Sequence, residues 1–125
     1  MPSSVKELLA AANAAVTRIT PEEATTLVAE KNALVVDVRD APEVQSTGKV
    51  QGALNVSRGM LEFRADPACP YHNEAFDPNR PVILYCASGG RSALAGKTLI
   101  DMGYKSVYNL GAFKDWAESG GGVEP

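Results

Sequence analysis

The spacing of apolar residues along the chain changes period several times, and each change marks an element. Residues 81–85 (PVILY) form a short apolar run with the β-branched and aromatic bias of a strand covered on both faces. The run ends in Cys86 and a loop carrying Gly89 and Gly90. Beyond the loop, Leu94, Ala95, Thr98, Leu99 and Met102 recur at helical spacing, so strand, tight turn and helix follow one another directly. Residues 34–38 are a second apolar run around Asp37, ending at Arg39 and Asp40. Residues 53–56 and 107–110 predict further strands, 59–63 a helical turn or short helix, and 65–80 a long irregular loop rich in proline and asparagine. Upstream, Ser3 or Ser4 can cap a helix running to about residue 15, and TPEE at 20–23 is a capping box with proline at the first helical position. Gly103 suits a helix C-terminus, and 111–119 predict a last helix before a triple-glycine tail that should fray. Strands alternating with helices over 125 residues predict one α/β domain, layered around a mostly parallel sheet. Residues 1–18 would be a helical extension of it and 120–125 a frayed end.

Composition narrows the partners. The chain is 45% hydrophobic and 22% charged, an ordinary globular balance rather than a disordered one. Twelve basic and fifteen acidic residues leave a net charge of −3 with no Lys/Arg run, so no nucleic acid partner is expected. The two cysteines, Cys69 and Cys86, form no CxxC pair or Cys/His cluster, so neither a disulfide framework nor a metal site is predicted. No apolar segment approaches the ~20 residues that span a bilayer. The nearest, residues 8–16 (LLAAANAAV), is interrupted by Asn13 and preceded by Lys6 and Glu7, which reads as an amphipathic helix rather than a signal peptide. A cytoplasmic protein with no membrane partner is the expectation.

Chemistry concentrates at Cys86. Glycines allow the loop after it to turn tightly, and such a loop aims its backbone N–H groups at the centre, where the free N–H groups and dipole of the following helix also point. A cysteine so placed can have its pKa lowered from ~8.5 into the range of about 3.5 to 7.5. A buried structural cysteine would explain Cys86 alone. The combination with paired glycines, Arg91 and a helix start argues for a nucleophile instead. Cys69, in DPACPYH, reads as a partly exposed loop thiol, a resolving or regulatory role being the alternative. His72, the only histidine, is assigned to surface or loop-packing use.

Several separated motifs, ITPEEA before the first long strand, VVDVRDAPEV at 35–44, GKVQGALNV at 48–56, YCASGGRSALA at 85–95 and NLGAFKDW at 109–116, together resemble the single-domain rhodaneses, which are thiosulfate sulfurtransferase-like proteins. The resemblance covers about residues 19 to 123. It implies a rhodanese-like three-layer sandwich, with a central, mostly parallel five-stranded sheet and helices on both faces. It also implies a persulfide on Cys86, with the backbone N–H groups of Ala87, Ser88, Gly89, Gly90 and Arg91 around the sulfur and Ser92 matching the serine or threonine that follows. Asp37 and Arg39 match the family's DVR element and Glu43 its downstream acid; an ion-paired cluster supporting the site is the expected role. Arg58 and Arg64 flank a short helix near the site entrance in similar proteins, and are candidates for attracting an anionic donor or simply solvated charges. Lys49, Gln51 and Ala112 depart from the usual pattern at positions that look structural.

The activity this implies is transfer of a sulfane sulfur from thiosulfate or a similar donor to cyanide or a thiol, with no external cofactor. Arg91 would help to hold the donor's sulfonate and the shape of the loop. A sulfur-relay or protein-binding module with a protein acceptor is the alternative. Phosphatases and arsenate reductases use a CxxxxxR loop, whereas Cys86 and Arg91 enclose four residues. Removing one ~3.4 Å residue from a closed loop shrinks its radius by about 0.5 Å, which suits one sulfur better than a phosphoryl group.

Overall fold

The computed structural model describes residues 3–125. In chain order it forms α1 (Val5–Ala15), β1 (Thr17–Arg18), α2 (Pro21–Lys31), β2 (Leu34–Asp37), α3 (Ala41–Thr47), β3 (Lys49–Val50) and β4 (Leu54–Asn55). A 3₁₀ turn (Arg58–Met60) then runs into α4 (Leu61–Ala65), followed by β5 (Val82–Cys86), α5 (Gly90–Asp101), β6 (Val107–Ala112), α6 (Phe113–Glu118) and β7 (Val123–Glu124). The first two helices begin at reciprocal caps. Ser4 Oγ accepts the Glu7 N–H at 3.1 Å and Thr20 Oγ1 the Glu23 N–H at 3.1 Å, while each glutamate carboxylate accepts the cap residue's N–H.

Five strands build one parallel sheet in the order β1-β6-β5-β2-β4. β5 is its most buried strand, which is why its sequence shows no polar alternation. Side chains of a strand alternate between faces. Val82, Leu84 and Cys86 therefore join Leu34 and Val36 beneath α4 and α5, in a cluster with Leu61, Ala95 and Leu99. Ile83 and Tyr85 join Val35 on the other face, beneath α2 and α6, with Ala24, Leu110 and Phe113. Helices on both faces of a five-stranded sheet are the α/β arrangement expected from the sequence, and α1 packs outside α5.

Three expectations need correction. Residues 1–18 are not a purely helical extension, because Thr17 and Arg18 pair in parallel with Tyr108 and Asn109 and form an edge strand. The last helix begins at Phe113; Gly111 and Ala112 still belong to β6, where they pair with Tyr85 and Cys86 after a register shift. The tail does not fray. Val123–Glu124 pairs antiparallel with Lys49–Val50, Trp116 Nε1 donates to Gly122 O at 2.8 Å, and Glu124 Oε1 receives Lys49 Nζ at 2.6 Å and the Gly52 N–H at 2.9 Å. Glycine's backbone freedom favours fraying locally, and these distant partners overcome it. The loop before β5 is likewise anchored. Phe76 is 1% exposed and meets Tyr104 edge-on, with ring centroids 6.4 Å apart, while the Tyr104 hydroxyl donates to Ala65 O at 2.7 Å.

Candidate active site

Cys86 ends the central strand with its side chain toward α5, so the loop 87–89 bends directly over the sulfur. The residue is 0% exposed, and Ala87 and Ser88 form the solvent-facing part of the loop above it. Gly89, at φ +101°, turns its N–H onto Cys86 Sγ at 3.0 Å. A Cβ on Gly89 would also stand 3.3 Å from Gly111 Cα, so this position needs glycine for both conformation and space. Gly90 and Arg91 open α5, and Ser92, fully buried, places Oγ 3.5 Å from the same sulfur. Ser92 thus meets the sulfur from beneath the loop rather than from the solvent side.

Burial by itself pushes the Cys86 thiol up. The hydroxyl of Ser92 and the backbone N–H groups of Ser92, Gly89 and Ser88 outweigh it, and the thiol lies below its ordinary value. The charged form of Cys86 is thus stabilised by hydrogen bonds rather than by water.

Asn109, not singled out from the sequence, organises this cluster. Its Oδ1 accepts the Gly111 N–H at 2.9 Å and the Ser92 hydroxyl at 2.8 Å, and its Nδ2 donates to Gly89 O at 3.2 Å. The Gly111 donor fixes which end of the amide faces Ser92. The single Ser92 proton therefore has two acceptors, Asn109 Oδ1 and Cys86 Sγ. A polar residue within the apolar run of β6 was the available signal, since a buried amide needs partners.

Arg91 was expected to hold both the donor's sulfonate and the shape of the loop, and both prongs of its guanidinium rest on Glu43, as the second role requires. Nη1 donates to Oε2 and Nη2 to Oε1, each at 2.8 Å. The Arg91 contact, aided by the Asp40 N–H, holds the Glu43 carboxyl at about 2. Glu43 is therefore not paired with Asp37 and Arg39 but ties α3 to the start of α5. Asp37 and Arg39 make their own pair, with Arg39 Nη2 on Asp37 Oδ2 at 2.7 Å and Nε on both carboxylate oxygens at 3.0 and 3.1 Å. The guanidinium also donates to Thr47 Oγ1 and Gly48 O, each at 2.8 Å, and lies 4.5 Å over the Phe113 ring. Phe113 and Tyr85 pack on the sheet face opposite Cys86, so this pair shapes the turn from β2 into α3 from below.

The remaining sequence candidates lie further out. Arg58 is held by Glu62 at 2.8 Å and Thr98 Oγ1 at 2.9 Å, and Arg64 makes a 3.4 Å contact to Tyr71 O. Neither hydrogen-bonds to residues 87–92. Cys69 is a half-buried free thiol, and His72 Nε2 lies 3.2 Å from Phe76 O in the packed loop. Among the described residues no group of three or more His, Cys, Asp or Glu side chains is arranged to hold a metal ion. Nor is any described helix long and apolar enough to cross a membrane.

Comparison with known proteins places this geometry among relatives. Residues 20–119 match the family model of the Rhodanese-like domain. The thiosulfate sulfurtransferase GlpE of Actinobacillus succinogenes is 34% identical over 108 residues, covering 85% of this chain and 88% of that protein. A solved structure of a Rhodopseudomonas palustris protein of unknown function, described as a possible tyrosine phosphatase, superposes with a TM-score of 0.88 at 38% identity over 99% of both chains. The polysulfide-sulfur transferase homodimer of Wolinella succinogenes gives a TM-score of 0.74 at 33% identity, over 95% of this chain and 85% of that one.

Proposed function

The chain belongs to the family of rhodanese-like domains, and from that membership we propose that it is a thiosulfate sulfurtransferase working through a persulfide on Cys86. The Cys86 thiolate attacks the outer sulfur of thiosulfate. A bond forms between that sulfur and Sγ, and the donor's own S–S bond breaks with its electron pair leaving on sulfite. In the second half-reaction cyanide or a thiolate attacks the terminal sulfur of the persulfide, and Cys86 departs as thiolate. Each step is a displacement without net oxidation, so no external cofactor enters, and the covalent intermediate gives ping-pong kinetics. A protein thiol as acceptor would make the same chemistry a sulfur relay.

The observation that carries this reading is the Gly89 N–H aimed at Cys86 Sγ at 3.0 Å within a loop of four residues between Cys86 and Arg91. Preorganised amide donors stabilise charge that appears on the sulfur, first as thiolate and then as persulfide. A ring this small supports sulfur chemistry over the phosphatase activity suggested for the Rhodopseudomonas palustris protein. The two free cysteines fit a reducing cytoplasm.

Intact-mass spectrometry after thiosulfate treatment tests the assignment. One added sulfur is expected on the parent protein and on Cys69→Ser, and none on Cys86→Ser. An adduct that survives in Cys86→Ser would overturn it.

A further inference from the structure

A doubly negative donor must be drawn to a protein of net charge −3, and the arginine of the active loop has its charge matched by Glu43. Arg18 is differently placed. It closes β1 at the carboxyl edge of the sheet, the edge at which parallel α/β sheets seat their ligands. Its register partner is Asn109, and paired residues in adjacent strands point to the same face. Arg18 therefore projects on the side where the Asn109 amide holds Gly89 and Ser92.

Two glycines record where its guanidinium lies. A Cβ on Gly111 would fall within the Arg18 guanidinium, so the flat group rests against the bare Gly111 backbone. A Cβ on Gly89 would stand 3.7 Å from Arg18 Nη1, and the Gly89 N–H is the donor 3.0 Å from Cys86 Sγ. These steps place Nη1 no more than roughly 9 Å from the sulfur, taking ~2.5 Å between a Cβ position and its own backbone nitrogen. Among the described residues no carboxylate lies within salt-bridge distance of Arg18, whereas Arg39, Arg58 and Arg91 each have one; Arg64 and Arg80 also lack one, but they donate to the carbonyls of Tyr71 and of Asn32 and Ala75.

We propose that Arg18 is a specificity-determining residue that receives the trailing anionic group of the sulfur donor at the rim of the Cys86 loop. The proposal rests on the sulfurtransferase reading and adds the recognition that reading lacks. In the in-line displacement the sulfonate sulfur of thiosulfate lies about two S–S bond lengths, ~4 Å, from Sγ, with its oxygens further out. A donor that leaves the sulfur on the Gly89 side of the loop would face a guanidinium at that limit across about 5 Å, a gap the exposed Arg18 side chain can close. Thiosulfonates and inorganic polysulfides present the same combination of a transferable sulfur and a trailing negative charge. Neutral sulfur donors would gain nothing from Arg18.

Arg18→Gln, Arg18→Glu and Arg18→Lys test this by two independent readouts. With thiosulfate as donor and cyanide as acceptor, the glutamine variant should raise KM for thiosulfate about tenfold with kcat little changed, and the glutamate variant should raise it further. Lysine should restore most of the loss, because a point charge suffices to attract the anion. The second readout is the ratio of Cys86 alkylation rates by iodoacetate and by neutral iodoacetamide. With both rates taken on the high-pH plateau, where Cys86 is fully thiolate, that ratio should fall about threefold in Arg18→Gln while the iodoacetamide rate itself stays unchanged. It reports the field of Arg18 whether or not thiosulfate is the donor, so failure of the transferase reading would leave it standing. An unchanged ratio in the glutamine variant, or equal slowing by both reagents, overturns the proposal.

Discussion

Replacing Glu43 by glutamine should lower kcat/KM for thiosulfate about fivefold while shifting Cys86 further toward thiolate. The wild-type pair joins α3 to α5 through two contacts of 2.8 Å. Buried, such charge-assisted bonds would contribute ~1.5–3 kcal/mol each. The side chains of Arg91 and Glu43 are 38% and 36% exposed, so solvent screening reduces the pair to about 1 kcal/mol in total. Glutamine keeps one accepting oxygen and turns an NH₂ toward the other prong. If the lost ~1 kcal/mol is expressed fully in the transition state, the rate falls about fivefold. The same loss lowers Tm by roughly 4 °C. Meanwhile the unmatched positive charge of Arg91 favours the thiolate, so the pH midpoint of iodoacetamide alkylation should move down. The pair has its own pH window: Glu43 titrates at about 2 against an ordinary 4.5, so its stabilisation is complete above 4.5 and is lost as pH falls toward 2. Thermal melts across that window should converge for parent and variant. Steady-state kinetics decide the role of Arg91, because a rise in kcat/KM would mean that Glu43 restrains an anion ligand, refuting the bracing role.

Asp37→Asn should cost about 3–5 kcal/mol of stability, since it leaves the Arg39 guanidinium buried without its countercharge. Chemical denaturation measures that cost, and the folded fraction should keep near-parental kcat, because the pair lies on the face opposite Cys86; a large loss of kcat at unchanged stability would place the pair in the chemistry. Ser92→Ala should slow Cys86 alkylation at neutral pH by about two- to threefold through loss of a hydroxyl donor to the thiolate. An unchanged rate would show that the Ser92 proton stays on Asn109. Inserting one glycine between Gly89 and Gly90 should reduce persulfide formation about a hundredfold, because it moves the Gly89 N–H off the sulfur. Stopped-flow sulfite release measures this, and parental rates in a folded insertion variant would contradict the loop-size argument.

The reach of the sequence differs between elements for reasons visible in individual residues. β2, β5 and α5 were legible because their apolar runs or helical spacings are set by which side chains must leave water, and that is written locally. The capping box at Thr20 was legible for the same reason, since a cap and its partner stand three residues apart, while the choice of Ser4 over Ser3 and its box with Glu7 came from the structure. Cys86, the glycine-bearing loop and the helix after it are contiguous, so the proposed nucleophile and the amides around it could be read together. The family resemblance supplied the five-stranded, mostly parallel sheet with helices on both faces and the expectation of a persulfide on Cys86, but not the order of the strands.

Tertiary structure decided the rest. Thr17–Arg18 and Val123–Glu124 are two-residue strands, too short for a period, and exist only because distant backbone groups pair with them. Arg91 stands 48 residues from Glu43, and charge alone did not name Glu43 among the acidic residues as its partner; the geometry of α3 against α5 did. Asn109 gained its role from the register shift between β5 and β6, which brings Gly111 and Ser92 to one carbonyl oxygen. Arg18 reaches the rim of the loop only because β1 takes the sheet edge beside β6 and Gly111 leaves its guanidinium room. By itself the sequence determined where the chain buries its apolar surface and where it turns, since those follow from neighbouring residues. Which distant polar groups meet was decided by the assembled sheet, because a hydrogen bond or ion pair depends on ångström-scale placement that only the packed fold creates.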